Sequence, residues 1–139
     1  MFLMDTDIAS AMRRRERNPL VVQWFEAQRA ADLYLSVMTI GEIEHGIARQ
    51  ERLNPTFARD LAAWLESVLN MFGDCILNVS LSVARRWGRL SQHLGYNSTD
   101  LVIAATALEN GFTVVTRNVR HFEPAGVAVL NPFLPMEEA

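Results

Sequence analysis

Asp5, Glu42 and Asp100 are the residues whose types and settings could do chemistry, because each is an acid set among apolar neighbours. Asp5 closes the run Met1-Phe-Leu-Met4. That is the pattern of a buried strand delivering a carboxylate to the carboxyl edge of a sheet, where ligands bind in open α/β folds. Glu42 lies beside the apolar stripe Ile40, Ile43 and Ile47, and Gly46 one turn on leaves space near it. Asp100 falls in the first turn of the most apolar helical segment, after Ser98 and Thr99. Its plainer role there is to favour the helix N-terminus. A buried carboxylate is costly unless it is paired or binds a metal. Oxygen ligands without His or Cys select Mg²⁺ or Mn²⁺ over Zn²⁺. Such an ion polarises a phosphoryl oxygen and makes hydroxide available near neutral pH, which is the chemistry of phosphodiester hydrolysis. His45, His93 and His121 have no metal-like spacing and read as surface residues.

Thr116, Arg117 and Asn118 follow an expected strand that should lie beside the first. Asn118 can hydrogen-bond a carboxylate, a water or a phosphate, and its plainer role is that of a turn residue. The net charge of −3 argues against a general nucleic-acid binder. The distribution says more than the sum: all 13 basic residues are Arg, in clusters at Arg13, Arg14, Arg15 and Arg17, at Arg85, Arg86 and Arg89, and at Arg117 and Arg120. Guanidinium forks suit bidentate phosphate contacts, although each cluster reads equally well as a solvated surface.

These residues need a frame. A chain of 139 residues, half of them hydrophobic and 21% charged, fits one folded domain with a sizeable core. No apolar stretch is long enough to span a bilayer, and the N-terminus does not read as a signal peptide. The single cysteine, Cys75, excludes an intrachain disulfide and suits a reducing cytoplasm; it is expected to pack in a strand. Strand signals are Phe2–Asp5, Leu33–Leu35, Cys75–Val79, Thr113–Thr116 and Val127–Leu130. Helical signals are Pro19–Arg29, a segment capped by Ser36 or Thr39 and running through Arg49, the stripe from Phe57 to Phe72, the stripe Val83, Trp87, Leu90 and Leu94, and Thr99–Asn110 ended by Gly111. Strands alternating with helices predict an α/β fold with a mostly parallel sheet covered on both faces. The segment from Asn131 to Ala139, with two prolines and two acids, is expected to fray.

In this order the residues resemble the PIN-domain family and, within it, the VapC-type toxin ribonucleases. The likeness rests on Phe2-Leu-Met-Asp5-Thr, on Leu35-Ser-Val-Met-Thr-Ile-Gly-Glu42-Ile-Glu-His-Gly46-Ile, and on Asp100-Leu-Val-Ile-Ala-Ala-Thr-Ala. Val114-Val-Thr-Arg-Asn118-Val-Arg-His-Phe122 and Val129-Leu-Asn-Pro132-Phe complete it. The resemblance implies a three-layer α/β/α domain over 1–132 with a flexible tail over 133–139, and a five-stranded parallel sheet of order 3-2-1-4-5. It implies Mg²⁺ or Mn²⁺ held by Asp5 and Asp100 with Glu42 completing an acidic pocket, cleavage of single-stranded RNA such as tRNA or rRNA, and a homodimer. It also implies silencing by a small VapB-like antitoxin. The family often carries a fourth acid where this chain has Asn118 or His121, so a second metal is expected to bind poorly. Asp7, where the family commonly has Asn, and Glu44 could partly replace that charge.

Three other readings compete. Asp5-Thr-Asp7 also resembles the opening of haloacid-dehalogenase-type phosphatases, but Ala9 stands where a hydroxyl is wanted and the chain has no Lys. A receiver domain fails for the same missing Lys. The non-enzymatic alternative is a catalytically weak PIN-like subunit acting in a complex with a DNA-binding antitoxin. The sequence favours a metal-dependent endoribonuclease whose catalytic residues are Asp5, Glu42, Asp100 and Asn118. Thr6, Thr116, Arg117 and Arg13, with Arg14 and Arg15 beside it, are expected to face RNA.

Overall fold

The computed structural model describes residues 1–135. Five short strands form one sheet: β1 (Phe2–Met4), β2 (Leu33–Ser36), β3 (Ile76–Leu77), β4 (Thr113–Val115) and β5 (Val129–Leu130). Their order is β3-β2-β1-β4-β5 and every pairing is parallel. Seven helices join them: α1 (Thr6–Arg13), α2 (Pro19–Glu26), α3 (Val37–Leu53), α4 (Pro55–Phe72), α5 (Leu81–Leu94), α6 (Thr99–Asn110) and α7 (Val119–Phe122).

The strands are mostly apolar because both faces are covered, with Ser36 of β2 and Thr113 of β4 as polar ends. Alternation sorts their side chains. Met4, Leu33, Leu35 and Val115 go to one face, under Ile8 of α1, Val21 and Trp24 of α2 and Val68 of α4. Leu3 and Val114 go to the other, against Leu101, Ile103, Ala104 and Ala107 of α6 and Phe122 of α7. Full burial of each large side chain stabilises by about 1.5–3 kcal/mol. α3 and α4 pack on each other through Ile43, Ile47 and Leu65.

Chain order runs outward from β1 through β2 to β3, then returns to the other side of β1 for β4. The reversal opens a crevice past the carboxyl ends of β1 and β4, the usual position of a ligand site. Residues 5 and 116 stand there, one position beyond each strand.

The expected elements are present with shifted ends. β1 stops at Met4, and Asp5 is instead the N-cap of α1, its side chain accepting from the Thr6 amide. α1 itself was not foreseen. Cys75 is half-buried in a tight turn, not in a strand, because β3 spans only Ile76–Leu77. α3 starts where expected, capped by the Ser36 hydroxyl, and runs four residues past Arg49 to Leu53. Gly111 caps α6 at φ +68°, a conformation that a residue with a Cβ adopts only at a cost. Of the segment expected to fray, Pro132 is buried and the Phe133 amide donates to Asn131 Oδ1 at 2.9 Å; residues 136–139 lie outside the described residues. Among the described residues no helix is long and apolar enough to cross a membrane.

Candidate active site

The crevice is an open cleft of about 580 Å³ whose lining includes Asp5, Asp7, Glu42 and Asp100. Four separate placements bring these acids together. Asp5 leaves the central strand, and Asp7 sits in the first turn of α1, which that strand feeds. Glu42 projects from the first half of α3, the helix following β2. Asp100 lies in the first turn of α6. Thr6, Arg13, Arg117 and Asn118 also line the cleft; of the residues expected at the site, Thr116 stands directly behind it and Arg15 does not reach it.

Asp5 is 4% exposed. One carboxylate oxygen accepts the Thr6 amide at 2.8 Å and the other accepts the Thr116 hydroxyl at 2.9 Å. No cation of the protein pairs with it among the described residues. Burial, then the charge of Asp7, then that of Asp100 push its pKa up to about 7, against the two hydrogen bonds. Asp7 is raised as well, chiefly by burial, although its Oδ2 accepts the Arg117 amide at 2.8 Å. Its Oδ1 is buried without a hydrogen-bond partner. Glu42 is raised by loss of solvent around its carboxylate, against the hydrogen bond it accepts from the Thr6 hydroxyl at 2.9 Å. The Thr6 oxygen in turn lies 3.0 Å from the buried Thr39 hydroxyl.

Thr116 does not meet substrate as expected. It is fully buried, and its hydroxyl is committed to Asp5 and to the Asn118 amide, which donates to it at 2.9 Å. Thr116 therefore positions Asp5. Asn118 has a negative φ, so no left-handed turn explains its type, and its side chain is exposed at the cleft. Arg13 and Arg14 line the cleft, whereas Arg15 turns away to pair with Glu26. Arg117 lies over the Phe133 ring, 3.7 Å from its centroid, and this contact draws the C-terminal segment to the rim. Glu44 is exposed and does not line the cleft.

The sequence reading missed His121. Its Nδ1 lies 2.9 Å from Asp100 Oδ2, with the ring mostly exposed. Among the described residues this is the one side-chain hydrogen bond to Asp100, so the acid does not act as a helix cap. Nothing in the spacing of residues 100 and 121 foretells the contact; only the packing of α7 against α6 makes it.

Among the described residues no three Asp, Glu, His or Cys side chains form a ready-made cage for an ion. Mg²⁺ dehydrates reluctantly, keeps several waters and is held by one or two carboxylates, so its site need not enclose it. The donor set is all oxygen, the carboxylates crowd one another, and one buried carboxylate oxygen lacks a partner. A divalent cation, for which oxygen donors are suited, would relieve both the crowding and the missing partner.

A family model for the PIN domain matches residues 2–127. The chain belongs to the PIN-domain family. Its relatives include the plasmid stability protein StbB of Pseudomonas syringae pv. tomato, 36% identical over 144 aligned positions covering 96% of this chain and 99% of StbB. The VapC ribonuclease Y4jK of Sinorhizobium fredii is 30% identical, with 97% and 99% covered. The toxin FitB of Neisseria gonorrhoeae is 33% identical, with 96% and 99% covered. A solved structure of FitAB bound to an IR36 DNA fragment matches with a TM-score of 0.86 at 32% identity, over the full length of both chains.

Proposed function

We propose that this protein is a divalent-metal-dependent endoribonuclease of the VapC toxin type, restrained by a cognate antitoxin. The observation that carries the reading is Asp5: a buried carboxylate at the switch point of the sheet, crowded by Asp7 and Asp100 and, among the described residues, paired with no protein cation. The full-length likeness to a VapC ribonuclease and to the toxin FitB supports the substrate class and the antitoxin partner.

Asp5 and Asp100 would hold Mg²⁺ or Mn²⁺, with Glu42 and Asp7 adding negative charge around its waters. When bound, such an ion activates water and neutralises charge developing on a phosphoryl group. The chain's own residues do the rest. Thr116 and the Thr6 amide fix the orientation of Asp5. Thr39 and Thr6 form a chain of hydroxyls that steadies Glu42. Arg13, Arg14 and Arg117 stand at the cleft to meet phosphates, and such contacts position a strand without reading its sequence. Asn118 offers an amide to a phosphate oxygen or a water at the mouth.

The direct test is cleavage of a mixed tRNA and rRNA pool by purified, antitoxin-free protein with Mg²⁺ or Mn²⁺, beside Asp5→Asn. Cleavage that needs the metal and disappears in the variant supports the reading. A second reading, a catalytically weak subunit that serves a DNA-binding antitoxin complex, is favoured by one observation: His121 engages an oxygen of Asp100 that a metal would use. It is also consistent with the DNA-bound FitAB structure. A folded protein that binds metal yet cuts no RNA would select it.

A further inference from the structure

One face of α5 carries Arg85, Arg86, Arg89 and His93, at spacings of one, three and four residues, and no acid of that helix shares it. The opposite face is committed: Val83 is buried, and Trp87, Leu90 and Leu94 pack against the core under α6. With Glu109 of α6, the basic residues line a groove of about 430 Å³. The three arginines are exposed. Among the described residues only Arg86 has an acidic partner, Glu109 at 2.5 Å, and the pair is partly exposed to solvent. The groove thus holds a local excess of positive charge in a chain whose net charge is −3.

The groove has a direction. Arg86 meets Glu109 near the C-terminal end of α6, and only residues 95–98 separate the end of α5 from the start of α6. The two helices therefore run antiparallel. The row from Arg85 to His93 leads from the far end of α6 toward the end that carries Asp100. Eight residues of helix span about 12 Å. Consecutive phosphates of a single strand lie farther apart than the axial spacing of about 3.4 Å per strand in duplex DNA, so the row can follow two or more of them.

We infer that the α5 groove is a track for the phosphate backbone of single-stranded RNA, delivering the strand to the acidic cleft from outside it. The proposal rests on the nuclease reading for its substrate. The guanidinium fork matches a phosphate bidentately, and three such forks in a row suit a polyanion better than a single small anion. A second copy of this chain docked by a two-fold axis through the groove would set the arginines against themselves, which like-charge repulsion disfavours.

The test uses the full chain carrying Asp5→Asn, so that RNA is not consumed, with and without Arg85→Ala and Arg89→Ala. Fluorescence anisotropy with a labelled 20-nucleotide single-stranded RNA, across a salt series, should show about tenfold weaker binding for the doubly substituted protein. The slope of log affinity against log salt should fall by about 1.4, the share of two phosphate contacts. Arg85→Lys with Arg89→Lys should recover most of the slope. In the cleavage-competent protein the alanine pair should lower kcat/KM on the 20-mer, yet leave a dinucleotide, too short to reach α5, unaffected. Unchanged binding and slope, or loss of antitoxin binding with RNA binding intact, overturns the track. Cleavage of the dinucleotide by the unsubstituted chain reports on the nuclease reading alone, so the two can fail separately.

Discussion

The two ends of α6 carry one acid each, and the chain treats them oppositely. Asp100 stands at the N-terminal end, where the helix dipole favours a negative charge, yet its neighbours are further acids and one histidine. Glu109 stands near the C-terminal end, where the dipole opposes it, and Arg86 neutralises it. The acid with the worse local position receives the arginine. The acid with the better one is left to share a cleft with Asp5, Asp7 and Glu42. The lesson is that a carboxylate answered by a guanidinium is finished as chemistry, whereas one answered only by hydroxyls, amides and an imidazole still has charge to offer a cation.

The largest test of that contrast is to neutralise the two ends in turn. Asp100→Asn, like Asp5→Asn, is expected to lower kcat on RNA by at least ~10³, the scale of several kcal/mol supplied by a lost metal, with the fold kept by circular dichroism. Glu109→Gln is expected to leave kcat within about twofold. Equal losses at both ends would erase the distinction.

The next test is thermodynamic. The pKa of Asp5 in the fold, about 7, lies above its ordinary value of 3.8. A carboxyl raised in this way favours the folded state while protonated: its contribution is complete below about pH 4 and is lost as pH rises through 7. Asp7 and Glu42 are raised too and act in the same sense. Metal-free protein is therefore expected to lose stability between pH 4 and 8, with Asp5 accounting for on the order of 4 kcal/mol at the upper end. Asp5→Asn should flatten the profile and raise Tm at pH 8 while abolishing activity. A flat profile in the unsubstituted protein would mean that the cleft is not strained by its own charge.

Metal should reverse the same loss. Mg²⁺ at a hundred times its Kd is expected to stabilise by about 2.7 kcal/mol, a Tm rise of several degrees, and the rise should vanish in Asp5→Asn. The smallest effect belongs to the residue behind the cleft. Thr116→Val is expected to weaken metal binding about tenfold by calorimetry, since it frees Asp5 to turn without removing its charge.

The sheet was legible because strands buried on both faces are apolar runs, and the three acids were legible because a charge beside such a run or an apolar helical stripe is conspicuous. α1 was not. Its eight residues offer barely two turns of periodicity, and the same Asp5 that reads as the end of a strand is the cap of the helix. Asp7 follows from that omission: once α1 is recognised, Asp7 falls in its first turn and faces the crevice. The role of Thr116 and the His121–Asp100 contact lay beyond reach, because both are made by elements that meet only across the finished fold.

One more consequence follows from the central strand. β1 is the first element of the chain, and β4, which supplies its neighbour and Thr116, lies 111 residues later between Asp5 and its hydroxyl partner. A polypeptide still being synthesised can pair β1 only on its β2 side until β4 has left the ribosome. Pairings of such long separation form late because their loop entropy is met first. A half-made chain thus holds Asp5 by the Thr6 amide alone, and the second carboxylate oxygen gains its hydroxyl only once β4 has paired with β1.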